Sequence, residues 1–257
     1  MALAAIRRVG AAFTAAGGPP VEVLPSLGTS GGLKALGAGA IDLSVASRPS
    51  TAAEVATGIV TTHFASTALA FMTRQAEPTR AVTREQLEQI VTGDLTSWPE
   101  GTPVRFVRRQ PSDSDWEIFG SLSPGLARAV AIARIRPGVP TFINDQDHAA
   151  ALERLPGAFG ALSLGQAVAE ERRLRSVAID GVLPTVAALR SGSWPLVKHL
   201  FVAHGASPRP EALALVAFLH GPEAATLLAA LDHIPASNSR PGRLPDERNM
   251  SFVQPRQ

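Results

Sequence analysis

The stretch VEVLPSLGTSGGLKALGAGAIDLSVASRP, residues 21–49, decides the fold class. The apolar run VEVLPSL leads into five small residues, GTSGG, and a helix-like segment and a second β-rich run, IDLSVAS, follow. Strand, glycine-rich turn, helix and strand in this order are typical of a βαβ unit. The stretch therefore predicts an α/β protein.

The rest of the chain continues this alternation. Helical spacing of apolar residues predicts helices at ALAAIRRVGAAF, GGLKALGAG, residues 123–135, HAAALERL, PEALALVAFLHG and PEAATLLAALDH. In TREQLEQIV, Thr83 is an N-cap candidate, and Ser114 with Glu117 spells a capping box. Strands are predicted at GIVTTHF, TALAFMT, VRFVRR, PTF, GAFGALSL, RSVAIDG and WPLVKHLFVA. We expect doubly wound, mainly parallel sheets with flanking helices.

Composition excludes several classes of function. The chain has 257 residues, 45% of them hydrophobic, with no cysteine, so disulfides and thiolate metal sites are excluded. The 24 basic residues are scattered and nearly balanced by 22 acidic ones, which argues against a nucleic-acid partner. No apolar stretch reaches the roughly 18–20 residues of a membrane span, and MALAAIRRVG does not have the pattern of a signal peptide. We expect no cofactor and no metal.

The GTSGG string has two interpretations. It matches the G-x-S-x-G pattern of a serine-hydrolase nucleophile elbow with Ser30 as nucleophile, and Asp180 with His199, His204 or His220 would complete a triad. However, that fold places several βα units before its nucleophile, and no HGGG-like oxyanion loop is present. Alternatively, Thr29, Ser30 and Gly31 form a loop at a helix start that offers hydroxyl and backbone N–H donors to an anion.

A second loop, VRRQPSDSDWEIF, repeats this design. It places two arginines at a strand end and small hydroxyl residues at the start of a helix. Arg108 or Arg109 would offer a bidentate guanidinium to an oxyanion, and Ser112 and Ser114 would donate hydroxyls. Asp113 and Asp115 orient the arginines or cap the helix. The third strand end, SVASRP, supplies Ser47.

The order of these motifs resembles the phosphate-binding proteins of ABC transporters, which have the periplasmic-binding protein type II fold. The resemblance is carried by LGTSGGLKALGAGAIDLSVASRP, VTREQLEQIVTGDLTSW, VRFVRR with SDSDWEIF, PGAFGALSL with VAIDGVLPT, SWPLVKHLFVA and HIP at 233–235. It implies two lobes with a ligand cleft between them, residues 1–74 and 195–257 against 75–194. It implies no catalysis. The last residues, from about 236, are rich in Pro, Ser and Arg and are predicted to form a loose tail.

The resemblance also implies a function and a site. The chain would capture phosphate or a similar oxyanion outside the cytoplasm, as a monomer, and present it to the permease of an ABC transporter. Another small organic acid or a signalling role is the alternative. The implied ligand-binding residues are Thr29, Ser30, Gly31, Ser47, Arg108, Arg109, Ser112, Asp113 and Ser114.

The sequence departs from the family at three places. Ser47 stands where phosphate specialists carry an aspartate that accepts the proton of hydrogen phosphate, which leaves the choice of anion open. The Ser-Gly-Thr turn of the family is replaced by SDSD, so Asp113 or Asp115 is a candidate for the acceptor role. The family's first strand and its loop precede the helix that begins here near residue 1, so the chain looks short at its N-terminus.

Overall fold

In the computed structural model, which describes residues 2–74, 78 and 80–236, helices and short strands alternate along the chain. The helices are α1 (Leu3–Ala15), α2 (Gly28–Gly37), α3 (Ala52–Ala56), α4 (Arg84–Thr92), α5 (Asp115–Gly120), α6 (Pro124–Ile135), α7 (Asp145–Arg154), α8 (Leu164–Ala169), α9 (Val186–Ser191), α10 (Pro210–Leu219) and α11 (Pro222–Ala230). The strands are β1 (Leu43–Ala46), β2 (Val60–Arg74), β3 (Ala81–Val82), β4 (Arg105–Phe106), β5 (Arg108–Arg109), β6 (Thr141–Phe142), β7 (Ala158–Ser163), β8 (Leu174–Ser176), β9 (Ala178–Ile179), β10 (Val197–His204) and β11 (Ile234–Pro235). The tail predicted from about residue 236 lies almost wholly outside the described residues.

The predicted helix starts are partly confirmed. Thr83 and Gln86 form the reciprocal hydrogen bonds of a capping box at α4, whose Leu87, Ile90 and Val91 face the core. The capping box predicted at Ser114 is wrong, because the Ser114 side chain makes no capping hydrogen bond. Its hydroxyl instead bonds to Ser47, on the loop after β1.

The long strand β2 organises the main sheet, whose strand order is β1-β10-β2-β7-β4, with β8 and β11 also paired to β2. The two predicted strands GIVTTHF and TALAFMT are parts of this one strand of 15 residues. Its first part pairs with β10 through residue 68, and its last residues pair with β7 and β8.

The α/β class is confirmed, but the expected strand direction is not. All pairs along β2 and β10 are antiparallel, and the parallel pairs are β3 with β9, β4 with β7 and β5 with β6. The runs GIVTTHF and TALAFMT are continuous in β2, so no helix lies between them. Two parallel neighbouring strands would need such a crossover connection.

The apolar core divides near the middle of β2. Phe64 and Ala65 pack in a cluster with α1, α10 and α11, whereas Leu69 and Phe71 pack with α4, α5 and α6. Strand β10 is divided in the same way: Val197 packs against the second cluster, and Leu200 lies in the first. The lobes predicted at 1–74 with 195–257 and at 75–194 stay a prediction, although β2 and β10 connect these two clusters.

The strand predicted at VEVLPSL is wrong. Residues 21–27 form no strand, and Leu24 and Leu27 are exposed. Val21 lies against α1, since a Cβ at Gly10 would come within 3.1 Å of its side chain. In the part of the chain that the structure describes, β1 pairs with β10 alone, so no neighbour is present to hold residues 21–27 in a sheet.

Among the described residues, no single helix has the length and apolarity needed to cross a membrane. Helices α10 and α11 meet that criterion only when taken together, and they are bent by 57°.

We expect Thr83→Ala to lower the free energy of unfolding by about 1 kcal/mol, because it removes the cap of a helix that carries core residues. The matched control is Thr51→Ala, which removes the same capping box from α3, a helix with no buried residue. Urea denaturation followed by circular dichroism measures both. An equal or larger loss in Thr51→Ala would contradict the assignment of α4 to the core.

Candidate functional site

The glycines of GTSGG have structural roles at the start of α2. Gly28, the first residue of the helix, has φ +68°, a backbone conformation that side chains disfavour. A Cβ on Gly32 would lie 2.3 Å from Ser44 Oγ, so a larger residue would force this hydroxyl to move. The close packing brings the first turn of α2 beside the loop that follows β1.

Three of the predicted hydroxyls form one hydrogen-bonded chain. Thr29 Oγ1 lies 2.8 Å from Ser47 Oγ and accepts the Ser47 backbone N–H at 3.0 Å. Ser47 Oγ lies 2.6 Å from Ser114 Oγ. The chain joins α2, the loop after β1 and the residue before α5, and Ser47 is only 8% exposed. Three sequence segments that are far apart therefore meet at Ser47.

Three other predicted residues are not drawn into this chain of hydroxyls. Ser30 is exposed in the first turn of α2, next to the half-buried Gly31. Ser112 is exposed in the turn before α5. Within the described ranges neither serine hydroxyl makes a hydrogen bond to the protein. Both stay predictions as ligand donors.

Arg109 is the arginine that contacts the SDSD turn. Its Nε donates to Asp113 Oδ2 at 3.1 Å, and its Nη2 lies 3.1 Å from the same oxygen. Nη1 donates to the Phe142 carbonyl oxygen at 2.9 Å, and Asp145 Oδ1 lies 3.4 Å from Nε. The guanidinium is thus held in a fixed orientation, with 5% of the side chain exposed.

The side chain of Arg108 leaves β5 in a different direction from that of Arg109, because successive side chains of a strand point to opposite faces. Its Nε donates to Thr141 Oγ1 at 2.9 Å, and its Nη1 is buried with no hydrogen-bond partner. Burial, with a smaller effect from the charge of Arg136, lowers the pKa of Arg108. Both arginines line a cavity of about 10 Å³ next to His148 and Asp115, which is near the lower limit for holding one water molecule.

Lys198 is a site residue that the sequence motifs did not predict. Lys198 lies on β10, is 2% exposed, and forms an ion pair and hydrogen bond with Asp115 Oδ1. A lone lysine inside the apolar run WPLVKHLFVA was the available signal, because a buried ammonium needs a carboxylate partner. The pair binds the strand shared by both core clusters to the start of α5.

Burial and neighbouring charges shift the pKa values of this pair. Burial raises the pKa of Asp115 to about 6; Lys198 opposes the shift, and the carboxylates of Asp113 and Asp145 add to it. Burial alone would lower the pKa of Lys198, but Asp115, Asp113 and Asp145 together raise it. Lys198 is therefore a permanent cation, whereas Asp115 takes up a proton in mildly acidic solution.

The residues nominated for a hydrolase do not assemble around Ser30. Asp180 pairs with Arg84, and His199 Nδ1 bonds to Ser66 Oγ. His204 and His220 bond to backbone carbonyl oxygens. The segment before Ser30 is also not a strand, so the strand–turn–helix context of a nucleophile elbow is missing.

No group of three or more histidine, aspartate or glutamate side chains in the described ranges is placed to hold a metal ion. Burial lowers the pKa of His148 to about 4, and its Nε2 lies 3.4 Å from the Val107 carbonyl oxygen.

Comparison with protein families identifies the fold family. The family model described as the PBP superfamily domain matches residues 2–223. This chain belongs to the PBP superfamily. Comparison with curated proteins gave no match.

Solved structures similar to this PBP superfamily chain cover almost its whole length. A Clostridium perfringens protein described as a phosphate ABC transporter substrate-binding protein, with phosphate bound, matches with a TM-score of 0.77 and 18% identity, over 92% of this chain and 96% of that one. An ABC-type phosphate transport receptor from Vibrio cholerae matches with a TM-score of 0.62 and 20% identity, over 90% and 94%. A phosphate-binding protein from Stenotrophomonas maltophilia matches with a TM-score of 0.63 and 11% identity, over 82% and 83%. At these identities the matches show the fold.

The site of this PBP superfamily chain offers hydrogen-bonding groups and charged groups. It combines three hydroxyls (Thr29, Ser47 and Ser114), two buried cations (Arg109 and Lys198) and the carboxylates around them. These groups can bind and orient an anion without a covalent step.

We expect the contribution of Asp115 to the free energy of unfolding to decrease as the pH rises from about 4 to about 6. The folded state keeps the Asp115 proton up to about pH 6, whereas the unfolded state releases it near its ordinary value of 3.8. Unfolding therefore releases a proton in this window, and stability falls by up to about 3 kcal/mol as pH rises.

The variant Asp115→Asn removes this titration. Urea denaturation at several pH values measures the unfolding free energy of the wild type and of Asp115→Asn. The difference, wild type minus variant, should fall from pH 4 to pH 6 and then level off. A constant or rising difference over that range would show that the pKa of Asp115 is not raised.

Proposed function

We propose that this chain is an extracytoplasmic solute-binding protein that captures phosphate or a similar oxyanion for an ABC transporter. The observation that carries the proposal is the meeting of Thr29, Ser47 and Ser114 beside a turn whose Asp113 holds the buried Arg109. Hydroxyls from separate loops and a fixed guanidinium are the donors that recognise a tetrahedral oxyanion.

The division of the core supports a cleft between two lobes. Strands β2 and β10 connect the two clusters, and the Ser47–Ser114 contact joins a loop beside the first cluster to α5 in the second. Residues 1–74 with 195–257 and residues 75–194 are the proposed lobes. Bending of β2 and β10 near Lys198 would open the cleft, and closure on the ligand would present the loaded form to the permease.

The fold family and the neighbours support the ligand class and the partner. The similar proteins from Clostridium perfringens and Vibrio cholerae are described as phosphate transport components. A location outside the cytoplasm, the monomeric state and contact with a permease are parts of the same proposal. Binding rather than catalysis is proposed, because the residues of the hydrolase interpretation lie apart.

Ligand binding requires the hydroxyl chain to change its donors. Ser47 Oγ and Ser114 Oγ now bond to each other, so the hydroxyl that donates in this contact has to rotate before it can donate to an anion. The first-turn N–H groups of α2, a helix of 10 residues, lie next to Thr29 and add positive potential. Ser30 and Gly31 are included in the proposed site for this reason.

We expect isothermal titration with phosphate to show binding by the wild type and a loss of affinity of at least about 10-fold in Arg109→Gln, because a hydrogen bond to a charged group contributes about 1.5–3 kcal/mol. Arg108→Gln is the matched control: it removes the neighbouring buried arginine, whose Nε bonds to Thr141 and not to the SDSD turn. Its affinity should stay within about threefold of the wild type.

Circular dichroism and cooperative unfolding establish that both variants fold. Equal losses in the two variants, or a larger loss in Arg108→Gln, would contradict the proposed place of Arg109. The absence of phosphate binding by the folded wild type would contradict phosphate as its ligand.

A further inference from the structure

The carboxylate of Asp113 occupies the donors of Arg109 that face the SDSD turn. Asp113 Oδ2 accepts from Arg109 Nε and lies 3.1 Å from both Nε and Nη2. The other oxygen, Oδ1, accepts the backbone N–H of Asp115 at 3.0 Å. One guanidinium and one main-chain N–H therefore hold the two oxygens of a single carboxylate.

These donors are of the kind that binds a free oxyanion. Guanidinium N–H groups and backbone N–H groups recognise carboxylate, phosphate and sulfate in the same way. The contact is also shielded from water, since the side chains of Arg109 and Asp113 are 5% and 12% exposed, so solvent weakens it little. Of the remaining donors of Arg109, Nη1 is taken by the Phe142 carbonyl oxygen.

We propose that Asp113 is an internal competitor for Arg109 and sets the affinity of the site for anions. The proposal rests on the proposed function, in which Arg109 is a ligand-binding residue. An incoming oxyanion that uses Nε and Nη2 of Arg109 has to displace Asp113 Oδ2, and the affinity is reduced by the free energy of that displacement. Asp113 thus lowers the affinity of the site for every oxyanion that uses these donors of Arg109.

The alternative role for Asp113 is to accept the proton of a hydrogen phosphate. Both of its oxygens are already hydrogen-bonded to donors within the protein, which favours competition over acceptance. The two roles differ in their effect on anion choice. Removing an acceptor weakens the binding of phosphate and spares sulfate, which has no proton to donate at neutral pH, whereas removing a competitor tightens the binding of both.

The experiment compares two variants of Asp113 with a matched control. Asp113→Ser removes the charge and keeps an oxygen that can accept the Asp115 N–H, and Asp113→Asn keeps the size of the side chain. The control is Asp180→Asn, because Asp180 makes the same pair of contacts elsewhere: Oδ1 accepts the Arg84 backbone N–H at 3.1 Å and Oδ2 lies 2.8 Å from Arg84 Nε. Phosphate and sulfate binding are measured by isothermal titration at neutral pH.

We expect both Asp113 variants to bind phosphate and sulfate about 10-fold more tightly than the wild type, since a charge-assisted contact no longer competes. Asp180→Asn should leave both affinities unchanged. In the absence of anion, the Asp113 variants should melt at a lower temperature than the wild type, and phosphate should raise their melting temperature by more.

The outcomes separate this inference from the proposed function. If the wild type binds anions and both folded Asp113 variants bind them with unchanged or lower affinity, the inference is overturned and the proposed function stays in place. Weaker phosphate binding with unchanged sulfate binding identifies Asp113 as a proton acceptor and also overturns the inference. Anion binding by the variants but not by the wild type supports the inference and overturns phosphate capture by the native chain. No binding by the wild type or by any folded variant overturns both.

Discussion

The burial of one ammonium group, Lys198, is the constraint on which the arrangement of the site depends. A buried charge near the start of the apolar strand β10 must be compensated by carboxylates, and Asp115 provides the direct contact. This contact fixes the SDSD turn against β10. Asp113 then lies on Arg109, and Ser114 comes within hydrogen-bonding distance of Ser47. The hydroxyl chain of the candidate site is thus a consequence of how a buried charge is neutralised.

The sequence predicted the order of elements well because each signal was local. The capping box at Thr83 and the apolar spacing of α4, for example, involve residues within one or two turns. The direction of the strands could not be predicted, because it depends on β2 being one strand and on a partner, β10, far along the chain. Residues 21–27 have the composition of a strand but no strand beside them, and composition alone does not supply a partner.

Only part of the site was predicted, because the sequence shows local patterns and not tertiary contacts. The small residues and the arginines were visible as loops at strand ends, and the structure brings Thr29, Ser47, Arg109, Asp113 and Ser114 into a connected group. The choice between Arg108 and Arg109 required the direction in which each side chain leaves β5. Asp145 was missed because its contact with Arg109 is tertiary, and Ser114 looked like a cap because only its sequence neighbours were considered.

The pairing of β2 with β10 also determines when the protein can fold. Ser66 and His199 face each other across the two strands but are separated by 133 residues in the chain. Closing such a large loop is slow, since its entropy is lost before the contacts form. During synthesis the sheet stays incomplete until β10 has left the ribosome. The apolar middle of β2 is therefore exposed for most of that time, and it is the segment that a chaperone would need to protect from aggregation.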